Sequence, residues 1–407
     1  MQAYRPVVIP RVKIFSDSRY AGKYYCQVNN AEYEMIVPET MRAVVLTGHG
    51  GLDKLEYHHD WPTPEPRDGE VLVKVAACGL NNTDINTRTA WYSKSVTEGI
   101  TDRGGKDGFD TADAESGSWG SSTITFPRIQ GADVAGYIAA VGNGVPACRI
   151  GERVILDPWL LATGDWLDTS RSRYFGSECD GGYAEFTTIR SENAISIDST
   201  QSDAELATYP CAYTTAENLT ARTGLRPGEV VAIAGASGGV GSAAIQLCRL
   251  RGARVIAIAA ESKTDFLLEL GANFVIDRNS EDIEAEIREA ARGAIDVALD
   301  VVGGPTFMPL INALRQGGRY SSSGSIAGPL VEFDLRQLVY KDLQLTGATI
   351  VPPGTMQRLV RLIEQNQLRP LLAKTFPLQD LAQAQQAFLE KKQIGRASCR
   401  ERVLFAV

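Results

Sequence analysis

Length, composition and charge set the first limits on this chain of 407 residues. The length favours two domains, and 44% hydrophobic with 22% charged residues exclude collagen-like, disordered and disulfide-scaffold classes. A net charge of -8 without an internal basic run argues against a nucleic-acid partner, and no apolar run is long enough to cross a membrane. We therefore expect a cytoplasmic globular protein.

Cysteine and histidine usage limits the metal chemistry. The seven cysteines are widely scattered without a C-x-x-C pair, which favours reduced thiols and gives no structural zinc cluster. The three histidines are His49, His58 and His59, so no histidine-based metal site or relay is expected further along the chain.

The two ends of the chain differ in pattern from its middle. Residues 1–40 show no sustained period and Met41 opens MRAVVLTGHGG, so we expect residues 1–40 to be non-native or an extended arm that covers a sheet edge. Residues 394–403 read IGRASCRERV, which resembles the translation of a sequencing-adapter string. We therefore expect residues 394–407 to be a scar that has overwritten a natural terminal strand.

Residues 41–205 predict a mostly-β domain. Short alternating segments such as RAVVL and EVLVKVAA are separated by turns that contain Pro and Gly. Residues 93–127 are rich in Gly, Ser, Thr and Asp, which predicts a long polar surface insertion that shapes or covers a cleft.

Residues 206–349 predict an α/β fold, a doubly wound parallel sheet. Apolar β-branched runs such as VVAIAG and ARVIAIAA alternate with helical stretches, as in successive βαβ units. Two later segments, RYSSSG and LQLTGATI, extend the predicted sheet. Residues 350–393 are expected to return to the first domain.

A glycine-rich turn between the first strand and helix of this unit predicts a dinucleotide site. The stretch VVAIAGASGGVGSAAIQLCR gives a strand, a tight turn and a helix, the context in which backbone N–H groups approach a pyrophosphate. The predicted cofactor-binding residues here are Ser237, Gly238, Gly239, Val240 and Gly241.

The end of the second strand bears on the choice of dinucleotide. An acidic residue at this point favours NAD, whereas a 2′-phosphate needs hydrogen-bond donors. The strand ends in two alanines, and Ser262 and Lys263 could hold a phosphate, whereas Glu261 argues the other way if it faces the ribose. We expect NADPH over NADH, with a solvated Lys263 as the alternative.

Four segments resemble the medium-chain dehydrogenase/reductase superfamily, and within it the zinc-free quinone oxidoreductase (zeta-crystallin-like) group. They are MRAVVLTGHGG, GEVLVKVAACGLNNTDIN, GADVAGYIAAVG and ASGGVGSAAIQLCR, within residues 41–395. The last matches the glycine-rich signature of that group, with Gln246 and Arg249 in place. The resemblance implies a GroES-like substrate domain, a Rossmann domain and a cleft between them for hydride transfer.

The resemblance also implies that no zinc is bound. Asn81 stands where zinc members of the superfamily carry a Cys, and Ala132 stands where they carry a His. Cys211 falls near the place of the third ligand, but one thiolate does not make a tetrahedral site.

Without a metal, hydrogen-bond donors must polarise the substrate oxygen. Asn81 and Asp84 match the Asn-x-x-Asp of the quinone reductase loop, and Tyr92 resembles the substrate-cleft tyrosine of that group. These three residues are the candidate catalytic residues. The plainer alternatives are a turn residue for Asn81 and a helix or loop cap for Asp84.

Further cofactor contacts follow from the position of strand ends. Thr215 follows the Cys-Ala-Tyr-Thr pattern that in the family leads into the helix below the nicotinamide. Gly303, Gly324 and Ser325 follow predicted strands, where an open α/β sheet forms its ligand crevice. Each glycine could equally be a simple strand end.

These observations predict a zinc-independent, NADPH-dependent oxidoreductase that acts on quinones or α,β-unsaturated carbonyl compounds. The expected partner is this small electrophilic substrate, with no nucleic acid and no membrane, and a homodimer is one arrangement that the resemblance allows. An alcohol dehydrogenase-like enzyme or a pathway enoyl reductase is the nearest alternative. A non-catalytic, NADPH-binding crystallin-like or sensor protein is the alternative of another class.

Overall fold

A computed structural model gives the arrangement of most of the chain. It describes residues 23–28, 31–100, 102–109, 124–161, 165–168, 170–390 and 396–400. In these ranges no helix has both the length and the apolar character needed to cross a membrane.

A short hairpin precedes the first domain. Strands β1 (Lys23–Val28) and β2 (Ala31–Ile36) pair antiparallel with each other and with no other described strand. Both strands lie within residues 1–40, for which a non-native stretch or an extended arm stays a prediction. Both carry Tyr with Val or Ile, residues that suit strands, over a length too short to show a sustained period.

The mostly-β domain contains ten strands in the described part of residues 40–196. They are β3 (Thr40–Leu46), β4 (Leu55–Pro62), β5 (Glu70–Gly79), β6 (Arg128–Ile129), β7 (Asp133–Val141), β8 (Arg153–Leu156), β9 (Trp159–Leu160), β10 (Arg173–Tyr174), β11 (Phe186–Arg190) and β12 (Ala194–Ser196). The central strands run in the order β12-β8-β7-β5, and β11 also pairs with β5. Strands β4, β3 and β6 form a second sheet, and β9 with β10 forms a short ribbon.

Four helices belong to this domain or lead out of it. They are α1 (Asn82–Arg88), α2 (Asp102–Asp107), α3 (Asp203–Leu206) and α4 (Pro210–Thr223). Helix α1 begins directly after β5, and α4 packs against the first helix of the next domain.

The second domain is a six-stranded parallel sheet, which confirms the predicted Rossmann-type α/β fold. Its strands are β13 (Val230–Ala234), β14 (Arg254–Ala259), β15 (Phe274–Asp277), β16 (Ile295–Asp300), β17 (Leu314–Ser322) and β18 (Gln344–Gly347), in the order β15-β14-β13-β16-β17-β18. Its helices are α5 (Gly239–Leu250), α6 (Thr264–Leu270), α7 (Ile283–Ala291), α8 (Phe307–Ala313), α9 (Leu335–Tyr340) and α10 (Thr355–Glu364).

Burial on both faces explains the apolar runs. In β13, Val231 and Ile233 belong to one core cluster, whereas Val230, Ala232 and Ala234 belong to another. Because successive side chains point to opposite faces, both faces of the sheet are covered.

The chain then returns to the first domain, where β19 (Leu372–Pro377), α11 (Leu381–Leu389) and β20 (Arg396–Arg400) follow. Strand β20 lies between β5 and β19. Arg396–Arg400, part of the segment that its sequence indicates to be a scar, therefore fills a strand position in this sheet. Backbone hydrogen bonds do not depend on side-chain identity, so the origin of the segment stays a prediction.

In the part that the structure describes, the insertion at 93–127 is anchored to the rest of the domain more firmly than a surface loop. The fully buried Arg88 donates to the backbone carbonyls of Gly50 at 2.7 Å and Gly105 at 2.5 Å, and to Gln385 Oε1 at 2.8 Å. A Cβ at Gly105 would lie 2.6 Å from the side chain of Leu389. Helix α2 therefore packs closely on α11.

Candidate active site between the two domains

The glycine-rich turn at the end of β13 has the shape of a phosphate cradle. Gly235 has φ +67°, and Gly238 is the exposed N-cap of the 12-residue helix α5. A Cβ at Gly241 would lie 2.3 Å from the carbonyl oxygen of Gly235, so only glycine lets the helix approach the strand here. Backbone N–H groups and the helix dipole at this end favour a bound anion.

The loops after three neighbouring strands converge beside this turn. Val301 and Val302, which follow β16, have side chains that would lie 2.9 Å from a Cβ at Gly235. A Cβ at Gly324, after β17, would lie 3.3 Å from the Val301 carbonyl oxygen. The structure therefore brings Gly324 to the same crevice as the predicted phosphate-binding turn.

Gly303 and Ser325 lie against each other at this edge. Gly303 has φ +64°, and a Cβ there would lie 3.0 Å from Ser325 Cβ. The preceding Asp300, which the sequence analysis missed, is fully buried and accepts the backbone N–H of Val302 at 2.7 Å and of Gly303 at 3.1 Å. Its other oxygen accepts the hydroxyl of Tyr320 at 2.8 Å, so this carboxylate fixes the turn.

The proposed 2′-phosphate contacts lie just beyond β14. Glu261, Ser262 and Lys263 form one short 3-10 turn, in which Glu261 and Ser262 are exposed and Lys263 is half-buried. The backbone N–H of Arg278 donates to the Ala259 carbonyl at 2.8 Å, so the backbone of this exposed arginine lies at the same end of the strand.

Asn81 and Asp84 form the N-terminal cap of α1. Asp84 Oδ2 accepts the backbone N–H of Asn81 at 2.8 Å, and the Asn81 side chain in turn accepts the backbone N–H of Asp84. The same Asp84 oxygen accepts the hydroxyl of Tyr183 at 3.0 Å. Both side chains are buried, so the capping role is realised and the catalytic role stays a prediction.

A fully buried carboxylate that sequence reasoning missed, Asp133, joins these elements. One oxygen accepts the side-chain amide of Asn81 at 3.0 Å, and the other accepts the backbone N–H of Cys211 at 2.6 Å. Thr215 donates its hydroxyl to the Cys211 carbonyl at 2.7 Å, one turn earlier in the same helix, and its contact with a cofactor stays a prediction. We call Asn81, Asp133 and Cys211 the floor of the site.

Two tyrosines lie near this floor. Tyr92 donates its hydroxyl to Thr83 Oγ1 at 3.2 Å, and burial raises the pKa of Tyr92 to about 12. Tyr174 is buried beside Ala132 and contacts the Cys211 thiol through its hydroxyl. Burial, with Cys211 and Asp133 nearby, holds the pKa of Tyr174 well above its ordinary value. Both phenols therefore stay protonated and act as hydrogen-bond donors.

The insertion reaches from the mostly-β domain to the Rossmann-type domain. The backbone N–H of Ile100 donates to the Ile326 carbonyl at 2.8 Å. A Cβ at Gly99 would lie 2.8 Å from the same oxygen, so the two backbones touch. This strap, residues 93–100, meets the loop that directly follows Gly324 and Ser325.

The chain belongs to the medium-chain dehydrogenase/reductase superfamily. Residues 67–199 match the family model described as "Alcohol dehydrogenase GroES-like domain", and residues 239–365 match the one described as "Zinc-binding dehydrogenase". These matches fall on the mostly-β domain and the Rossmann-type domain respectively.

Full-length relatives agree with this assignment. The solved structure of an alcohol dehydrogenase candidate from Sinorhizobium meliloti 1021 is 43% identical, with a TM-score of 0.82 over 89% of this chain and 97% of that one. The acryloyl-coenzyme A reductase of Metallosphaera sedula is 25% identical over 88% of this chain and 98% of its own. The quinone oxidoreductase of Lama guanicoe is 27% identical over 84% and 92%.

The residues at the floor do not fit the zinc that one family description names. The Asn81 side chain is engaged by the helix cap and by Asp133, and Ala132 offers no donor atom. In the described part of the chain, no three His, Cys, Asp or Glu side chains are placed to hold a metal ion. A tetrahedral zinc needs four such donors or three with a water.

Proposed function

We propose that this protein is a zinc-independent, NADPH-dependent oxidoreductase that transfers a hydride to quinones or α,β-unsaturated carbonyl compounds. One observation carries the proposal. Asn81 and Cys211, which the resemblance puts at two of the metal-ligand positions of zinc relatives, are joined through the carboxylate of Asp133, next to Ala132 at the third position. A site of this composition would stabilise the substrate oxygen through hydrogen-bond donors.

The cofactor side rests on the glycine-rich turn and the end of β14. The backbone N–H groups after Gly238 would hold the pyrophosphate. The lack of a side chain at Gly241 lets helix α5 begin close to the end of β13, where those groups are needed. Ser262, Lys263 and Arg278 would hold the 2′-phosphate. The dinucleotide, when bound, supplies the hydride.

On the substrate side, Tyr92 would donate its phenol to the substrate oxygen. Its hydroxyl donates a hydrogen bond to Thr83, beside the floor, and its raised pKa keeps the phenol a donor at neutral pH. Asn81 would contribute by holding Asp133 and the start of α1 in place, with its second amide hydrogen directed at the substrate.

A reductase of unsaturated acyl thioesters is the second candidate. It is supported by the match to an acryloyl-coenzyme A reductase that covers 98% of that relative. Reduction of an α,β-unsaturated carbonyl compound and of an unsaturated acyl thioester both place a hydride on the β-carbon, so the same floor would serve either reaction.

We also propose that two copies associate through the outer edge of the parallel sheet. Strand β18 is its last strand, and Leu335, Val339 and Tyr340 on the adjacent helix α9 are 67%, 64% and 73% exposed. A second copy, related by a two-fold axis, would cover this apolar face. In light scattering we expect a dimer, and a monomer for Val339→Asp.

A substrate panel and one substitution test the proposed function. Oxidation of NADPH and of NADH is followed with 9,10-phenanthrenequinone, a simple enone and acryloyl-CoA, and reduction of NADP⁺ with a primary alcohol. We expect Lys263→Ala to lower kcat/KM for NADPH by about tenfold and to leave that for NADH unchanged. Binding of NADPH without any turnover would favour a non-catalytic sensor, and turnover of the alcohol alone would favour an alcohol dehydrogenase.

A further inference from the structure

Gln246 belongs to the glycine-rich signature, yet the candidate site does not use it. Its Oε1 accepts the backbone N–H of Arg369 at 2.7 Å, and its amide donates to the Tyr213 hydroxyl at 2.8 Å and to the Arg369 carbonyl at 3.3 Å. Tyr213 in turn donates to the same carbonyl at 2.6 Å. Gln246 is only 6% exposed, so these bonds form away from water. We call the group of Gln246, Tyr213 and the Arg369 backbone the clamp.

The clamp lies where the chain crosses between the two domains. Helix α4, which carries Tyr213, leads from the mostly-β domain into the Rossmann-type domain. Arg369 lies in the segment 366–371, which returns the chain from α10 to β19. A second tyrosine of the first crossing, Tyr209, donates its hydroxyl to the Leu368 carbonyl at 3.1 Å. Both crossings are therefore joined to each other and, through Gln246, to helix α5.

The two helices in the clamp carry the two halves of the candidate site. Helix α5 begins at the glycine-rich turn, and Gln246 lies seven residues after Gly239, which is about 10 Å along the helix axis. Helix α4 begins at the floor, where the backbone N–H of Cys211 donates to Asp133. The clamp therefore fixes the cofactor end of α5 relative to the floor.

The Arg369 side chain adds contacts to a third helix, α6, which follows the proposed 2′-phosphate turn. Its guanidinium lies 5.8 Å from the centre of the Phe266 ring and 4.0 Å from the Glu269 carboxylate. Both charged side chains are more than half exposed, and an exposed ion pair contributes little. The buried backbone bonds to Gln246 therefore hold the segment 366–371 in place.

We propose that Gln246 is a positioning residue for hydride transfer, which holds α4, α5 and the segment 366–371 in one arrangement and so sets the distance between the dinucleotide and the floor. The inference rests on the proposed function. The substrate gains the hydride with its electron pair at the β-carbon and a proton from water at the α-carbon, so the step needs no further reagent. The reacting atoms must lie about 3–3.5 Å apart, and a displacement of about 1 Å that starts far from them lowers the rate strongly.

The test uses the full chain and compares Gln246→Met with Asn193→Leu. Methionine keeps the length of the Gln246 side chain but cannot hold the Arg369 backbone. Asn193 is also 6% exposed, and its amide also donates to two backbone carbonyls, those of Asp157 at 3.0 Å and Trp159 at 2.8 Å. These bonds stay within the mostly-β domain, so Asn193→Leu removes a comparable buried amide without releasing a crossing.

We expect Gln246→Met to lower kcat for NADPH oxidation with an enone by about 10- to 100-fold, with KM and NADPH affinity within about threefold of wild type. The isotope effect on kcat with NADPH deuterated at C4 should rise, because hydride transfer then limits the rate. Both substitutions should lower the melting temperature. Only Gln246→Met should change kcat and the isotope effect.

A double-mutant cycle with Tyr213→Phe tests whether the clamp acts as one unit. Tyr213→Phe removes one bond to the Arg369 carbonyl and leaves the direct bonds from Gln246, so we expect a loss in kcat of about threefold. In the double mutant kcat should lie within about twofold of Gln246→Met alone, because the clamp is already open.

Three results would overturn the inference and leave the proposed function in place. They are an unchanged kcat and isotope effect in Gln246→Met, an equal loss of kcat in Asn193→Leu, and losses in the double mutant that multiply. A wild-type protein that reduces no enone or quinone would instead overturn the proposed function together with the inference. That result is seen before any substitution is made.

Discussion

The carboxylate of Asp133 accepts the backbone N–H of Cys211 at 2.6 Å, across 78 residues of sequence. This bond ties the start of β7 to the start of α4. The second oxygen of Asp133 holds the Asn81 side chain, so one buried acid sets the positions of three elements that surround the candidate site.

Asp133→Asn tests this arrangement. An amide has one acceptor oxygen, so either the Cys211 N–H or the Asn81 side chain loses its partner in a buried place. We expect the free energy of unfolding to fall by about 1–3 kcal/mol in urea titrations. Asp68→Asn is the matched control, because Asp68 also accepts an Asn amide, from Asn143 at 2.9 Å, but at an exposed position. Equal effects of the two substitutions would contradict the role given to Asp133.

The close approach at Gly241 predicts a second outcome. Gly241→Ala would place a Cβ 2.3 Å from the Gly235 carbonyl oxygen, so the turn must shift. We expect a loss of about 1–3 kcal/mol in unfolding free energy and a weaker NADPH affinity by fluorescence titration. Gly347→Ala, with no atom within 4 Å of the new Cβ, should change neither. Normal NADPH binding by Gly241→Ala would show that this turn does not hold the cofactor.

Asp157 predicts a pH dependence of stability. Burial raises its pKa from 3.8 to about 6, and its carboxyl accepts the backbone N–H of Trp159 at 3.1 Å. Because the folded state binds this proton more tightly, the buried ionised carboxylate lowers the stability above about pH 6, and this loss disappears as the pH falls from about 6 to about 4. Asp157→Asn should therefore raise the unfolding free energy by about 1–3 kcal/mol at about pH 8 and have little effect at about pH 4.

The control for Asp157 is Asp165→Asn. Asp165 accepts the N–H of the residue two positions on, Leu167 at 2.9 Å, in the same way, but is exposed. Its replacement should leave the free energy of unfolding at about pH 8 close to that of the wild type. A pH profile of Asp157→Asn that parallels the wild type would rule out the assigned titration.

The strap at 93–100 predicts an effect on cofactor binding. Gly99→Val would add atoms 2.8 Å from the Ile326 carbonyl oxygen and push the strap away from the loop after Ser325. We expect NADPH affinity to fall by about tenfold, measured by fluorescence titration, while the melting temperature changes little. Gly48→Ala, where nothing lies within 4 Å, is the control. An unchanged affinity would show that the strap does not act on the cofactor side.

How far the sequence predicts this molecule depends on the range of the interactions. The turn at Gly238 and the strands around it follow from short patterns, because a parallel sheet needs continuous apolar runs and the turn needs glycine. Asp133 and Tyr174 carry no local signal, because their partners lie far away in the sequence. Asn81 and Cys211 lie 52 and 78 residues from Asp133, and Cys211 lies 37 residues from Tyr174. The strand at Arg396–Arg400 was missed because its pairing comes from β5 and β19 rather than from its own residues.

The oxidation of NADPH in the presence of an enone, measured before and after exhaustive treatment with a metal chelator, tests the central claim most directly. The hydrogen-bonded floor of Asn81, Asp133 and Cys211 predicts turnover that is unchanged by the chelator and faster with NADPH than with NADH. Turnover that is lost with the chelator and restored by added zinc would contradict it.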